Sequence, residues 1–495
     1  MHNQPIKIDS FLKPELFREA LQSAGYTQDA LAQITGIKHP SEKLNIPMVL
    51  RQTAEPTAFN TFVRLFLLAG TVPEEAAKLA VAPANLESLV ECGLLVRSGA
   101  GVSSKVKIVQ YGDQFFASDF SPLDKGAAIA SDHVLGVGPA SLVLVNLTVR
   151  KQVDSAFDLG CGSGVQSLIA ARHARRVVGG DTNARALNLA AFVAKLNGVE
   201  NIEWRTGSFF EPVEGEKFDL VVANPPFVIS PRSRFQFRDG GLGGDAVSEH
   251  VVRGAARHLN EGGFASMLIN WHHADGEDWD RRPMEWFADN GCDSWIARSS
   301  IADPLNYAAN WIGQTSGQNA SDYEQLLDEW LAYFREQGIH QICAGAVVLR
   351  KRSTGKNWTR SDSMEQGQGR GQCSDHILRL FAGEDYLRQF EDDRQLLEQR
   401  VVLHPDAVSD QRLNMENGTW AVQSLMIGLS SGLGFSGKGD IGVMRFLGNC
   451  NGTTTVGSSI AKLASDLKAP PESMIPGCLE IVKRMVRSGI LVPVE

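Results

Sequence analysis

Phe218-Asp219-Leu220-Val221-Val222-Ala223-Asn224-Pro225-Pro226-Phe227 is the stretch on which the reading of the fold turns. Its apolar, β-branched first half reads as a buried strand. The run stops at Asn-Pro-Pro-Phe. Two prolines remove two backbone donors and fix two φ angles, so neither strand nor helix continues through them. A rigid corner remains, which presents one amide side chain, the carbonyls around it and one aromatic face. Those groups suit a planar NH2 group, held by its two hydrogens and stacked on its π-face. In open α/β sheets, strand ends are also where ligands bind. A plain Pro-Pro turn after a core strand is the alternative, and the sequence upstream decides between the two.

Upstream, Ala156-Phe157-Asp158-Leu159-Gly160-Cys161-Gly162-Ser163-Gly164-Val165 reads as a strand entering a glycine-rich turn, followed by the helical pattern Ser167–Ala171. Glycines let the backbone approach a ligand, and a helix start offers unpaired N–H groups. A dinucleotide site is the obvious rival. However, Asp158 stands before the first glycine, where a carboxylate repels a pyrophosphate and instead attracts a cation or accepts from an amino group. Ala174–Asp181 is a second strand ending in an acid, about twenty residues on, the place from which a carboxylate accepts ribose hydroxyls. Ala184–Asn197 has the spacing of an amphipathic helix, and Ile202–Phe210 gives a third strand and a polar turn. Strands alternating with helices in this order predict a parallel α/β sheet.

These pieces resemble a class I S-adenosyl-L-methionine-dependent methyltransferase of the amino-methylating branch. They are similar in particular to the release-factor glutamine methyltransferases and their small methyltransferase domain relatives. The resemblance is dense over about 131–275 and thins out towards about 352. It implies a Rossmann-like seven-stranded sheet with S-adenosyl-L-methionine as cofactor. It further implies that Asp158, Gly160, Gly162 and Gly164, with Cys161 between them, line the methionine part of the cofactor, and that Asp181 holds the ribose hydroxyls with Asn183 beside it. The turn after the third strand would hold the adenine. Here Ser208 stands where the family often has an acid, and Phe209 would cover the ring unless it is a core residue. Asn224, Pro225, Pro226 and Phe227 match the catalytic motif without substitution, and Asn224 also borders the cofactor. The chemistry implied is methyl transfer to a weakly nucleophilic planar nitrogen, oriented by the Asn224 side-chain oxygen and the Pro225 carbonyl and stacked on Phe227. Positioning and oriented dipoles would carry it, without a strong base.

The rest of this domain, 123–352, is expected to hold a Gly-rich loop at Arg238–Asp245 ahead of a helix at Ala246–His258. A strand at Gly262–Ile269 and a closing pair at Ser294–Arg298 and Ile342–Leu349 would follow. An insertion at about 303–340 separates the closing strands. It carries an amphipathic helix over Asp322–Gln337, and its tryptophans are expected to pack rather than to meet substrate.

At 495 residues the chain is too long for one domain. Segment 1–122 shows helical patterns at Thr61–Leu68, Pro73–Leu79 and Pro83–Cys92. A hairpin of Gly93–Arg97 with Val106–Val109 follows, giving a winged-helix outline. A similar outline recurs within 374–495: a helix at Phe446–Cys450, a turn at Asn451-Gly452, helices at Val456–Leu467 and Ser473–Ser488, and a strand at Gly489–Val492. Glu91-Cys92-Gly93-Leu94-Leu95-Val96 and Arg487-Ser488-Gly489-Ile490-Leu491-Val492 mark the same place in each. Residues 353–373, rich in Ser, Gly, Gln and Arg, read as a linker or exposed loop.

A net charge of −9, with no dense Lys/Arg stripe, weighs against duplex binding, which needs several phosphate contacts. The expected partner is therefore a macromolecular substrate, with protein favoured over nucleic acid. The seven cysteines lack metal spacing and read as reduced thiols, so no metal is expected. The chain shows no signal peptide or membrane-spanning run, which points to the cytoplasm. Three functions stay open: a protein-glutamine methyltransferase, a methyltransferase for an adenine-type amino group in RNA or DNA, and a winged-helix interaction protein that senses the cofactor. An intact Asn-Pro-Pro-Phe speaks against the third.

Overall fold

The computed structural model describes residues 5–37, 44–99, 101–121, 129–315, 320–364 and 371–494. They form two compact units. One comprises Met1–Val145 with Lys151–Ser363, the other Asn146–Arg150 with Met364–Glu495.

The first unit is built on an eight-stranded sheet. Its strands are β1 (Val153–Leu159), β2 (Ala174–Asp181), β3 (Ile202–Thr206), β4 (Phe218–Ala223), β5 (Leu259–His273), β6 (Cys292–Ala302), β7 (Gln341–Lys351) and β8 (Thr359–Ser363). They lie in the order β8-β6-β7-β5-β4-β1-β2-β3. The first five strands pair in parallel, and β7 runs antiparallel between β5 and β6. The expected seven-stranded sheet is present. The middle stretches of its central strands, among them Phe157, Val177, Val178 and residues 220–223, are buried, as expected where helices cover both faces of a sheet.

The eighth strand lies within the stretch expected to be a linker. Thr359–Ser363 adds to β6 in parallel, and the preceding Trp358 is buried at 2% exposure. One buried tryptophan outweighs the polar composition around it, since burying an aromatic of that size removes on the order of 200 Å² from water. Residues 365–370 of that stretch lie outside the described residues.

Strand order reverses between β1 and β4, which are neighbours with Leu159 opposite Ala223. Leu159 also lies opposite Gly180 on β2, and Asp181 opposite Thr206 on β3. Gly160, Asp181, Gly207 and Asn224 therefore emerge along one edge of the sheet. This is the crevice where open α/β sheets bind ligands.

The N-terminal segment is continuous with this sheet's packing. It holds helices at Pro14–Ser23, Gln28–Thr35, Ile46–Gln52, Ala58–Phe62, Glu74–Val81 and Leu86–Glu91, with a small sheet of Thr71–Pro73, Gly101–Ser104 and Leu95–Ser98. The expected hairpin has a different second strand. Leu95–Ser98 pairs with Gly101–Ser104 across a tight turn led by Gly99 at φ 61°, and Lys107–Tyr111 pairs instead with Gln114–Ser118. Phe11, Phe17, Phe62 and Phe66 share one apolar cluster with Phe192 and Leu196 of the helix Ala184–Asn197. The Phe11 and Phe192 rings are 5.0 Å apart. Two asparagines of the same helix close the contact by main-chain pairing. Asn188 Nδ2 donates to the Ile6 carbonyl and its Oδ1 accepts from Ile6 N–H, both at 2.9 Å, and Asn197 does the same with Phe115.

The insertion folds as helices Pro304–Thr315 and Ala320–Glu336. Tyr307, Ile312, Trp330 and Phe334 form a cluster with Val228 and Ile229, directly after Asn-Pro-Pro-Phe.

In the second unit, helices Ile441–Asn449, Val456–Leu467 and Pro471–Arg487 pack with a sheet of Asn451–Thr455, Arg400–Leu403 and Leu491–Val494. Asn451-Gly452, expected as a turn, begins a strand. Gly93 and Gly489, the glycines of the two similar hexapeptides, both take left-handed backbone (φ 81° and 65°) between a helix and a strand. A separate meander of Ala407–Glu416, Thr419–Leu429 and Ser436–Gly439 completes the unit.

Candidate functional site

The turn after β1 is shaped by its glycines. Gly160 and Gly162 have φ of 68° and 53°, and a Cβ on either would meet no atom within 4 Å. The backbone therefore faces open space that a side chain would fill, a cradle suited to a closely held ligand. Gly164 serves packing instead. Its Cβ position is 3.2 Å from both Ala190 Cβ and Trp204 Cη2, and it does not line the cavity.

Two acids stand over this turn. Asp158 is 1% exposed and accepts from Ser167 Oγ at 2.6 Å. Burial pushes its carboxyl up to about 7. Asp181 accepts from the N–H groups of Gly162 (2.9 Å) and Asn183 (2.8 Å), and burial raises it as well. With the Thr182 N–H as a third donor, its two oxygens together still keep acceptor capacity for a further one. Asn183 caps the helix Ala184–Asn197, accepting from Arg185 and Ala186 N–H and donating to the Asp132 carbonyl. Its side chain fixes the wall, while Asp181 turns acceptor capacity towards the cavity. Ser208 donates its N–H to Glu211 at 2.9 Å, and Phe209, at φ 49°, has its ring 4.7 Å from that of His250.

At the β4 corner, Phe227 N–H donates to the Pro225 carbonyl at 2.8 Å, and Val228 N–H to the Arg238 carbonyl at 3.2 Å. Phe227 bridges Asp239 in antiparallel fashion. The Asn224 side chain makes no hydrogen bond to another described residue and is half-buried.

Asp158, Gly160, Cys161, Gly162, Asp181, Asn183, Ser208, Phe209, Asn224 and Pro226 all line one cavity of about 760 Å³, within the range for a small-molecule site. Pro225 and Phe227 do not: Pro225 is buried, and Phe227 packs against the Tyr307–Trp330 cluster. Burial pushes the Cys161 thiol far above its usual range, which keeps it protonated.

Sequence reasoning missed a second wall, residues 133–141. It is tied down by Ser163 Oγ donating to the Leu135 carbonyl and Gln166 Nε2 donating to the Ser141 carbonyl, both at 2.9 Å. The only signal there was the cluster Gly136-Val137-Gly138-Pro139. It also missed Gln236, Phe237 and Gln314, and it expected Trp311 merely to pack, whereas Trp311 reaches the cavity from the insertion. The Gly-rich loop contributes Asp239, Gly240 and Gly241.

Residues 131–277 match the family described as "Methyltransferase small domain". Residues 23–105 and 379–493 each match a family described as a domain of unknown function. The release factor glutamine methyltransferase of Xylella fastidiosa strain Temecula1 is 34% identical over 127 residues, 23% of this chain and 46% of that protein. The ribosomal RNA small subunit methyltransferase C of Escherichia coli strain K12 / DH10B is 31% identical over 137 residues, 27% of this chain and 36% of that protein. The chain thus spans less than half the length of these relatives. Among solved structures, the YcgJ protein from Bacillus subtilis is similar at 16% identity and a TM-score of 0.30, over 43% of this chain and 99% of that one. The likeness to the methyltransferase small domain family thus lies in residues 131–277, which hold the glycine cradle, both acids and Asn224.

Proposed function

We propose that the chain is an S-adenosyl-L-methionine-dependent N-methyltransferase whose acceptor is a planar NH2 group, a protein glutamine amide. One observation carries this reading: Asn224, whose side chain has no hydrogen-bond partner among the described residues, opens onto the same cavity as the glycine cradle and the two acids. When bound, the cofactor supplies a methyl group already activated on a sulfonium. Asp181 would hold the ribose hydroxyls, Asp158 would offer its carboxylate to the cationic methionine part, and Ser208 and Phe209 would border the adenine. The Asn224 side-chain oxygen accepts from one acceptor N–H and turns the nitrogen towards the methyl. Preorganised dipoles of this kind contribute a few kcal/mol each. The nitrogen's proton can leave to water after transfer, so no strong base is needed.

A nucleobase amine is the second reading, favoured by the two aromatic side chains, Phe237 and Trp311, that line the same cavity as Asn224. The flanking segments are read as docking modules for the macromolecular substrate, in a cytoplasmic enzyme. Among the described residues no helix is long and apolar enough to cross a membrane. Incubation with tritiated donor and cell extract, followed by protease or nuclease, tests the assignment. Label freed by protease supports the glutamine reading, and label freed by nuclease overturns it in favour of the base.

A further inference from the structure

We propose that Phe237 and Trp311 are aromatic faces against which the acceptor's planar group stacks, and that the buried Arg238–Asp239 pair is the brace that positions both. This rests on the methyl-transfer reading above. Phe237 and Trp311 share the cavity lining with Asn224. The Phe237 ring is supported from behind. It stacks on Phe235 at 5.5 Å and 28°, with the His133 ring edge-on at 6.0 Å. Trp311 sits on the helix Pro304–Thr315 against Tyr307, ring to ring at 6.3 Å. One ring thus comes from the loop and the other from the insertion.

The brace joins those two elements. Arg238 donates Nε and Nη2 to Asp239 at 2.6 and 3.0 Å, and Nη1 to Thr315 Oγ1 at 2.9 Å. Its guanidinium lies over the rings of Phe235 (4.8 Å) and Trp330 (5.4 Å). Asp239 also accepts from Ser230 Oγ, Arg234 N–H and Phe235 N–H at 2.9–3.0 Å. The side chains of the pair are 6% and 2% exposed. A buried pair with this many donors is rigid, and its loss leaves an unpaired buried charge. With Asp239 fully engaged, the loop and the insertion offer the cavity Ser233, Gln236, Gln314 and two rings, a contribution without a free charge. Such a lining suits a neutral planar group presented edge-on to Asn224, because amide edges supply hydrogen bonds while the rings supply stacking.

Two measurements test this. In the first, label transfer from tritiated donor is followed over a series of extract concentrations, with donor affinity measured by calorimetry. Phe237→Leu and Trp311→Leu should each raise the half-saturating extract concentration about tenfold, in line with the loss of one stacking contact, and leave donor affinity within twofold. Phe237→Tyr and Trp311→Phe should recover most of the loss, since they restore a ring. Arg238→Met should lower turnover without changing donor affinity. In the second, saturation-transfer NMR with benzamide as a planar amide probe, in the presence of S-adenosylhomocysteine, should show contact in the wild-type chain and none in the doubly substituted Phe237→Leu/Trp311→Leu chain. Leucine variants that transfer label like wild type, or no better recovery by the aromatic variants, overturn the proposal. So does benzamide contact that survives the double substitution. Absence of label transfer with benzamide contact intact counts against the methyl-transfer reading and leaves the stacking faces standing.

Discussion

On the proposed reading, Asp158 should make donor binding a pH-dependent event. Its carboxyl is buried, accepts from the Ser167 side chain and backbone, and is pushed up to about 7 by desolvation. In the ligand-free chain it is therefore about nine-tenths protonated at pH 6 and about one-tenth at pH 8. The donor carries a sulfonium and an ammonium, and a positive charge in that cavity favours the carboxylate. Below pH 7, binding must expel a proton, so affinity falls as pH falls. Between pH 8 and pH 6 the loss approaches tenfold, about 1.4 kcal/mol. Calorimetry in two buffers of different ionisation enthalpy should record close to one proton released per donor bound at pH 6 and almost none at pH 8. Asp158→Asn, which keeps the size and cannot ionise, should flatten most of this dependence. Asp181, raised by burial in the same direction, accounts for any remnant. A wild-type affinity unchanged from pH 6 to pH 8, or an Asp158→Asn profile that overlays it, would refute the reasoning.

Asn224→Ala should lower turnover about a hundredfold, as for loss of a hydrogen bond strengthened in the transition state, with donor affinity unchanged within a few-fold by calorimetry. Gly160→Val should abolish donor binding, because it fills the cradle and strains a backbone at φ 68°. Gly254→Ala should destabilise the chain by about 1–3 kcal/mol, read as a lower denaturant midpoint. A Cβ there would lie 2.1 Å from Cε2 of Phe210, whose ring is held against His258 at 4.5 Å. A fragment of about 125–352 should aggregate or fail to fold, while residues 1–363 should stay monodisperse and bind donor, because the first 121 residues cover the outer face of the helix Ala184–Asn197.

Asp158, Gly160, Asp181 and Asn224 could be read from the sequence because each is fixed by a strand ending. A β-branched run that stops at glycine, acid or proline places its last residue at a sheet edge, and alternation with helices sets all such edges on one side. Gly164 and Phe227 sit inside equally legible motifs, yet the structure turns them to packing, against Trp204 and the Tyr307–Trp330 cluster. A motif specifies the backbone path; which side chain faces the cavity depends on what packs behind it. Phe237 and Trp311 carry the complementary lesson. They are 74 residues apart in sequence and have no periodic signature of a wall. What joins them is Arg238, whose buried charge reaches Asp239 on its own loop and Thr315 on the insertion. Its only visible sign in the sequence was a charged pair ahead of a glycine run, which on an exposed loop would contribute little. The same distance effect hid the fusion of the N-terminal segment with the sheet. The partners of Ile6 and Phe115 are Asn188 and Asn197, and an asparagine on a helix reads as a solvated position. Polar residues that pair with main chain across elements are therefore where this architecture is specified least visibly. For the same reason, Asn188→Ala and Asn197→Ala should cost stability that no reading of helix amphipathicity foresees, each leaving one main-chain N–H and one carbonyl without its partner.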